Sequence, residues 1–332
     1  MIVPLHVLMI ASVLAPAVQA TPPGVIVWDS SELEQRNSAL ATELRPDRSS
    51  RETLADYEVP VEGTAGSHRF RFIRREYDGM SYHPEIHDEL EDVVFIQSGE
   101  ATLIVGGEMI NRRGDGGDGI SGGARYPVAT GDLIQIPAAT PHGFLVPEGG
   151  HVTYLLVKVP AFVGEYVENP AYVPRVPLEF DPPGFAMWSH SELERRDALL
   201  ATEIGPDRSA RETLADYGNP MGGHRFRFIR RESDGMDAHP EIHGGHPEWE
   251  GSYGIIDVVF VKSGGGTLLA GGEMINRQGS GGDGISGGMR YPVAAGDVIH
   301  IPAETPHGYL VPEGHITYVL VRVPAVVSSG SP

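Results

Sequence analysis

The 332-residue sequence contains no cysteine. Disulfides and thiolate metal ligands are therefore excluded, and any metal has to rest on histidine and carboxylate side chains. Positive charge is scarce: 25 Lys and Arg stand against 45 Asp and Glu, a formal charge of −20. A surface of that sign repels polyanions, which argues against nucleic acid or an anionic membrane as partner. Long apolar runs are missing after the first 20 residues, so no later segment is fitted to span a bilayer. Met1 to Ala20 is itself apolar, free of Lys and Arg, and ends Ala17-Val18-Gln19-Ala20, the small residues that a signal peptidase reads. The expectation is a signal peptide over 1–20, cleaved after Ala20, and a secreted or periplasmic product with no membrane attachment.

What is present is a duplication. Trp28-Asp-Ser-Ser31-Glu-Leu-Glu34 recurs as Trp188-Ser-His-Ser191-Glu-Leu-Glu194. Each contains Ser-x-x-Glu ahead of a short amphipathic helix, and is read as a capping box at Ser31 and at Ser191. Leu33, Leu40 and Leu44, and in the copy Leu193, Leu200 and Ile204, mark the buried side of these helices or a dimerisation face. His68 to Glu76 recurs as His224 to Glu232, with Phe70 and Phe72 alternating with Arg69 and Arg71. That period-2 pattern is a strand, and the expectation puts the Phe pair inside and the Arg pair in solvent. An inward Arg would instead suit a substrate carboxylate, which it binds with two parallel N–H bonds.

Short Val-, Ile- and Phe-rich strands between Gly and Pro turns give an all-β barrel or sandwich for each copy. The units run 24–160 and 188–325, joined by a Pro-rich linker over 161–187, with a disordered tail over 326–332. The Gly- and Asp-rich stretch Arg112 to Gly119 lacks the spaced carboxylates of a calcium loop and reads as a flexible hairpin tip. Glu43, Glu52, Glu89 and Glu91 read as a solvated face.

Two stretches carry the chemistry. The first holds Gly79, Glu85, His87, Asp92 and Gly99, and the second Gly131, Pro137 and His142. In the copy the same positions are Gly235, Glu241, His243, Asp257 and Gly264, then Gly296, Pro302 and His307. Two imidazoles and one or two carboxylates on separate strands suit Fe(II) or a similar first-row ion. Glu85 and His87 share one side of an extended segment.

This spacing resembles the cupin superfamily, whose motifs read G-x5-H-x-H-x3,4-E-x6-G and G-x5-P-x-G-x2-H-x3-N. Here Glu85 stands in place of the first His, Asp92 in place of Glu, Ala139 in place of the second motif's Gly, and Val146 in place of its Asn. The resemblance implies two tandem double-stranded β-helix (jelly-roll) barrels, a bicupin, with short flanking helices. It implies one divalent ion (Fe, Mn, Zn, Ni or Co) per barrel, on His87, Asp92 and His142 and on His243, Asp257 and His307, with Glu85 and Glu241 as further ligands. Cupins include dioxygenases, decarboxylases, isomerases, lyases and binding proteins. The leading expectation is a dioxygenase-type oxidoreductase acting on a small organic molecule, ahead of a redox-neutral lyase and a non-catalytic binder.

The copies differ in one long insertion. Gly244 to Ile256 separates His243 from Asp257 and brings Trp249 and Tyr253, and His300 takes the place of Gln135. His300 is the candidate acid or base near neutral pH, with Glu85 and Glu241 as further proton carriers. His83 and His239 fall outside the motif and are expected at most behind the ligands. On this reading the second copy carries most of any catalysis.

Overall fold

The computed structural model describes residues 24–58, 67–79, 82–160, 184–216, 225–233, 239–243 and 254–325. The leader, most of the linker, the insertion up to Tyr253 and the tail lie outside them.

Each copy contributes seven strands to one eight-stranded antiparallel sheet that folds over on itself, and the other copy supplies the eighth. In the first copy the strands are β1 (Ile26–Trp28), β2 (Ser49–Glu58), β3 (Ser67–Glu76), β4 (Leu90–Val105), β5 (Glu108–Ile110), β6 (Gly119–Ser121), β7 (Ala124–Ala129), β8 (Leu133–Ile136), β9 (His142–Leu145) and β10 (His151–Pro160). The second copy repeats them as β11 (Ala186–Trp188), β12 (Ser209–Asp216), β13 (Arg225–Glu232), β14 (Gly254–Ala270), β15 (Glu273–Ile275), β16 (Gly284–Ser286), β17 (Met289–Ala294), β18 (Val298–Ile301), β19 (His307–Leu310) and β20 (His315–Ala325). The helices are α1 (Ser30–Thr42) and α2 (His190–Ala201).

Strand β4 explains the barrel. Its first half pairs with β8 and β10, and its second half with β7 and β9, so one strand serves both layers. The corner is Gly99, at φ +80°, where an added Cβ would come within 2.0 Å of the His151 carbonyl oxygen. Only glycine fits that approach. Gly264 turns the same corner in β14.

The first strand of each copy belongs to the other copy's sheet. Ile26, Val27 and Trp28 pair with His300, Ile299 and Val298, while Ala186, Met187 and Trp188 pair with Gln135, Ile134 and Leu133. The sequence reading places neither strand, and Ala186 and Met187, expected in the linker, belong to β11 instead.

Among the described residues, three apolar clusters follow from the alternation of side chains. Two fill the barrels, around Val94, Ile96 and Leu156 in one and Val259, Val261 and Leu320 in the other. The third joins the copies, with Phe70, Phe72, Phe95 and Trp28 against Phe226, Phe228, Phe260 and Trp188. Phe95 and Phe260 meet at 4.9 Å between ring centroids. The Phe face of β3 therefore packs between the barrels, and on the other face Arg71 and Arg75 line a cavity of the first barrel while Arg69 stays partly exposed against Asp56. This corrects the expected Phe-inside, Arg-outside assignment: in a barrel packed against a second barrel, both faces of the strand are covered.

The helices lie against β2 and β3, and against β12 and β13. Their caps are Asp29 and Ser189, whose side chains accept from the backbone N–H groups of Glu32 and Glu192. The capping pattern thus begins two residues before the expected Ser31 and Ser191. Leu33, Leu40, Leu193 and Leu200 are buried. Glu91 is fully buried rather than solvated, and accepts a hydrogen bond from Gln135.

Candidate metal centre

Glu85 and His142 exchange backbone hydrogen bonds of 2.7 and 2.9 Å, which pins the first motif against the second. Glu241 and His307 do the same at 2.7 and 2.8 Å. Ala139 N–H donates to the His87 carbonyl at 2.7 Å, and Glu304 N–H to the His243 carbonyl at 3.0 Å. The ligand histidines are thus positioned by backbone before any side-chain contact is counted.

In the first copy, His142 Nε2 lies 3.2 Å and His87 Nε2 3.7 Å from Asp92 Oδ2, and His87 Nε2 lies 3.5 Å from Glu85 Oε2. Glu85, His87 and His142 present donor atoms that all fall within 4.8 Å of one another, as do those of His243, Asp257 and His307 in the second copy. His243 Nε2 is 3.5 Å and His307 Nε2 3.2 Å from Asp257 Oδ2, and His243 Nε2 is 3.4 Å from Glu241 Oε2. The expected ligands meet in both copies. The three-residue grouping that could hold an ion takes Glu85 as third donor in the first copy and Asp257 in the second.

Several features fit a metal. His142 Nδ1 is 2.9 Å from the Thr140 carbonyl and His307 Nδ1 2.8 Å from that of Thr305. A carbonyl only accepts, so both rings carry their proton on Nδ1 and present the Nε2 lone pair. His87 Nε2 is buried and has no hydrogen-bond partner. A cavity of about 10 Å³ beside Glu85, Asp92 and His142, matched by one beside Glu241, Asp257 and His307, has room for one water-sized occupant.

The electrostatics keep the carboxylates ionised. Burial raises the pKa of Asp92, but Lys158 and the two histidines outweigh it and bring it down to about 2. Burial acts the same way on Glu85, where His87 and Arg75 reverse it, and on Glu241, where His243 and Arg231 do. His142 and His307 are moved up despite burial, by the aspartate beside each. Glu85 and Glu241 are thus at the site but ion-paired, as acceptors rather than free bases.

Three participants escaped the sequence reading. Lys158 stands opposite Asp92 in the β10–β4 register, and its ammonium is 2.9 Å from Asp92 Oδ1. Arg322 stands opposite Asp257 in the β20–β14 register. Asp115, at the expected hairpin tip, accepts from Ile86 N–H through its carbonyl and brings Oδ2 to 3.6 Å from His87 Nδ1. A single charge inside the otherwise apolar Leu155 to Val159 and Leu320 to Val323 was the available signal.

His300 is not in the site. It shares the face of β18 that carries Val298, pointing into the apolar core between the copies rather than into the barrel, where Ile301 lines the pocket. Its ring stands edge-on to Phe70 at 5.2 Å, and Nδ1 is 2.8 Å from the Gly24 carbonyl. Burial lowers its pKa to about 4, so it stays neutral at physiological pH. It is a core residue, not an acid or base. His83, held 2.8 Å from Asp78, lines the entrance to the first site.

The comparisons with solved structures agree with this geometry. A mutant of salicylate 1,2-dioxygenase from Pseudoaminobacter salicylatoxidans superposes with a TM-score of 0.55 at 15% identity, covering 93% of this chain and 87% of that one. A glyoxylate-induced protein from Pseudomonas aeruginosa gives 0.52 at 14% identity, covering 97% and 95%. The chain has the bicupin fold. No family model and no curated protein matches its sequence. At this identity the likeness speaks for the bicupin fold, and the two His and carboxylate clusters that could hold metal ions rest on this chain's own geometry.

The bicupin's first site has an antechamber. A cavity of about 170 Å³ is lined by Arg45, Arg51, Arg71 and Arg75, with Asp47, His83 and Glu85. Arg75 is committed, donating to Tyr154 at 3.0 Å and to Glu85. Burial and the charges of Arg69 and Arg51 lower the pKa of Arg71, the mark of a cation short of counter-charge. Arg227 occupies the same place in β13, its pKa brought down to about 10 by burial and by Arg322, Arg225 and Arg211.

Proposed function

We propose that this bicupin is a metal-dependent enzyme of dioxygenase type that acts on a small organic anion. The observation that carries the reading is the arginine-lined cavity that reaches Glu85, whose Oε2 lies 3.5 Å from His87 Nε2. A cavity that gathers four guanidinium groups against two carboxylates in a chain of net charge −20 is a local reversal of sign. It attracts a carboxylate and offers the bidentate geometry that binds it. Salicylate 1,2-dioxygenase, a structural neighbour named for a carboxylate substrate, supports the same class.

In the first copy Glu85, His87 and His142 would hold the ion, with Asp92 within reach. A first-row metal there supplies Lewis-acid and redox chemistry. The chain's own residues do the rest. Arg71 and Arg51 hold the anion, Ile73 and Leu156 give its carbon skeleton an apolar wall, and Arg75 keeps Glu85 in place.

Calorimetric titration with benzoate, salicylate and 2-oxo acids, each against its amide or alcohol analogue, tests the reading. Carboxylates should bind more tightly, and Arg71→Gln should weaken them at least tenfold, about 1.4 kcal/mol. Oxygen-electrode measurements on the same panel then identify any turnover. Equal binding of acids and amides, with no effect of Arg71→Gln, would remove the anion from the assignment.

A further inference from the structure

We propose that the two sites differ in metal occupancy: the first copy's site takes the ion, and the second copy's site is closed to it by the Arg322 guanidinium. This rests on the metal reading above and deepens it.

The two sites match at every expected ligand. Ring centroids of the paired histidines are 5.6 Å apart in the first copy and 5.4 Å in the second. They diverge at the basic residue opposite the aspartate. Lys158 is a point donor, and its hydrogen bonds, 2.9 and 3.3 Å, both go to Asp92. It leaves Glu85, His87 and His142 to one another. Arg322 is a planar fork with longer reach. Its Nη2 lies 2.7 Å from His243 Nε2 and 3.0 Å from Glu241 Oε2, and its Nε lies 3.4 Å from Asp257 Oδ1. One guanidinium therefore engages three of the four donor residues.

The contact with His243 decides the matter. A guanidinium only donates, so the His243 Nε2 lone pair is the acceptor, and it is the lone pair a metal would need. The matching atom of His87 meets no guanidinium; it is buried with no hydrogen-bond partner, 3.5 Å from Glu85 Oε2 and 3.7 Å from Asp92 Oδ2. An ion entering the second site would have to displace a side chain that is 11% exposed, and then sit beside the charge it displaced. Like charges at that range repel strongly where water is scarce.

Two further differences point the same way. His87 has the Asp115 carboxylate 3.6 Å behind its Nδ1, an arrangement that strengthens a ligating imidazole, whereas the matching residue in the second copy is Ser280. Phe144 in the first pocket is replaced by Tyr309, whose buried hydroxyl has no hydrogen-bond partner. The second pocket thus adds one donor, the Tyr309 hydroxyl, where the first has only the Phe144 ring. This reverses the expectation that the second copy carries most of the catalysis.

The test uses Co(II) as probe on the full chain, with stoichiometry from elemental analysis and calorimetry, and the visible ligand-field band as a report on the site. Wild type should bind about one ion per chain. His142→Ala should abolish binding and its band, and His307→Ala should leave both unchanged. Arg322→Lys should raise the count to about two, and Lys158→Arg should lower it toward zero. Circular dichroism and melting curves on each variant separate loss of ligand from loss of fold. About two ions in the wild type, or equal losses from the two His variants, overturns the occupancy difference and leaves the metal reading standing. An unchanged count in Arg322→Lys removes Arg322 as the cause and with it the proposal. No ion in the wild type sinks the metal reading as well.

Discussion

Ala139 and Glu304 hold left-handed backbone, at φ +54° and +60°, with a side chain in place. Ala139 stands where the cupin motif has glycine, and the reason for that glycine is now visible: the residue must turn left so that its N–H can meet the carbonyl of the ligand histidine. A Cβ in that conformation costs about 1–2 kcal/mol. Part of the gain from glycine is lost to the freedom it adds to the unfolded chain. Ala139→Gly and Glu304→Gly should each stabilise the protein by about 0.5–1 kcal/mol, read as a rise in Tm of a few degrees. Gly99→Ala should do the opposite and more strongly, since an added Cβ meets backbone and cannot be relieved by a rotamer change. The ligand positions were legible in the sequence because they sit within short motifs. Lys158 and Arg322 were not, because only the pairing of the last strand with β4 or β14 brings them opposite an aspartate 66 or 65 positions away in sequence.

Among the elements, β18 shows how one register decides a role. Alternation correctly set His300 on the face opposite Ile301, but which face looks into the barrel is fixed by the neighbouring copy, and no local pattern records that. The consequence is measurable. A histidine whose pKa falls from 6.5 to about 4 on folding is neutral in the native state and protonated in the unfolded one between those values. The unfolded state then binds more protons, so stability contributed by this group is present above about pH 6.5 and is lost as the pH falls toward 4. The full effect is up to about 3 kcal/mol. His300→Gln, which copies Gln135 of the first repeat, should flatten the stability curve across that window, measured by urea melts from pH 7 to 4. An unchanged slope would mean that the ring is solvated. Strand β3 teaches the same lesson: its alternation was plain, but the assignment of the Arg face to solvent failed because a second barrel covers the Phe face.

For the molecule as a whole, the aromatic cluster between the sheets and the exchanged first strands tie the copies together. A single cooperative unfolding transition is expected, with the calorimetric and van't Hoff enthalpies equal. Phe95→Ala or Phe260→Ala, each removing a buried ring from the shared core, should lower that one transition by about 3–5 kcal/mol rather than split it in two. The tandem fold was legible from the duplication, because repeated motifs at matching registers reveal a repeated unit. The strand exchange was not, since Ile26 to Trp28 and Ala186 to Trp188 are equally suited to either sheet. That reciprocity has a further meaning. Each copy offers an edge strand and accepts one, so the surface it presents is its own complement, the property of a two-fold symmetric dimer. A fragment such as 184–325, expressed alone, therefore has a partner available in another molecule of itself. Analytical ultracentrifugation should find it as a homodimer, the single chain having fused what two identical subunits can assemble.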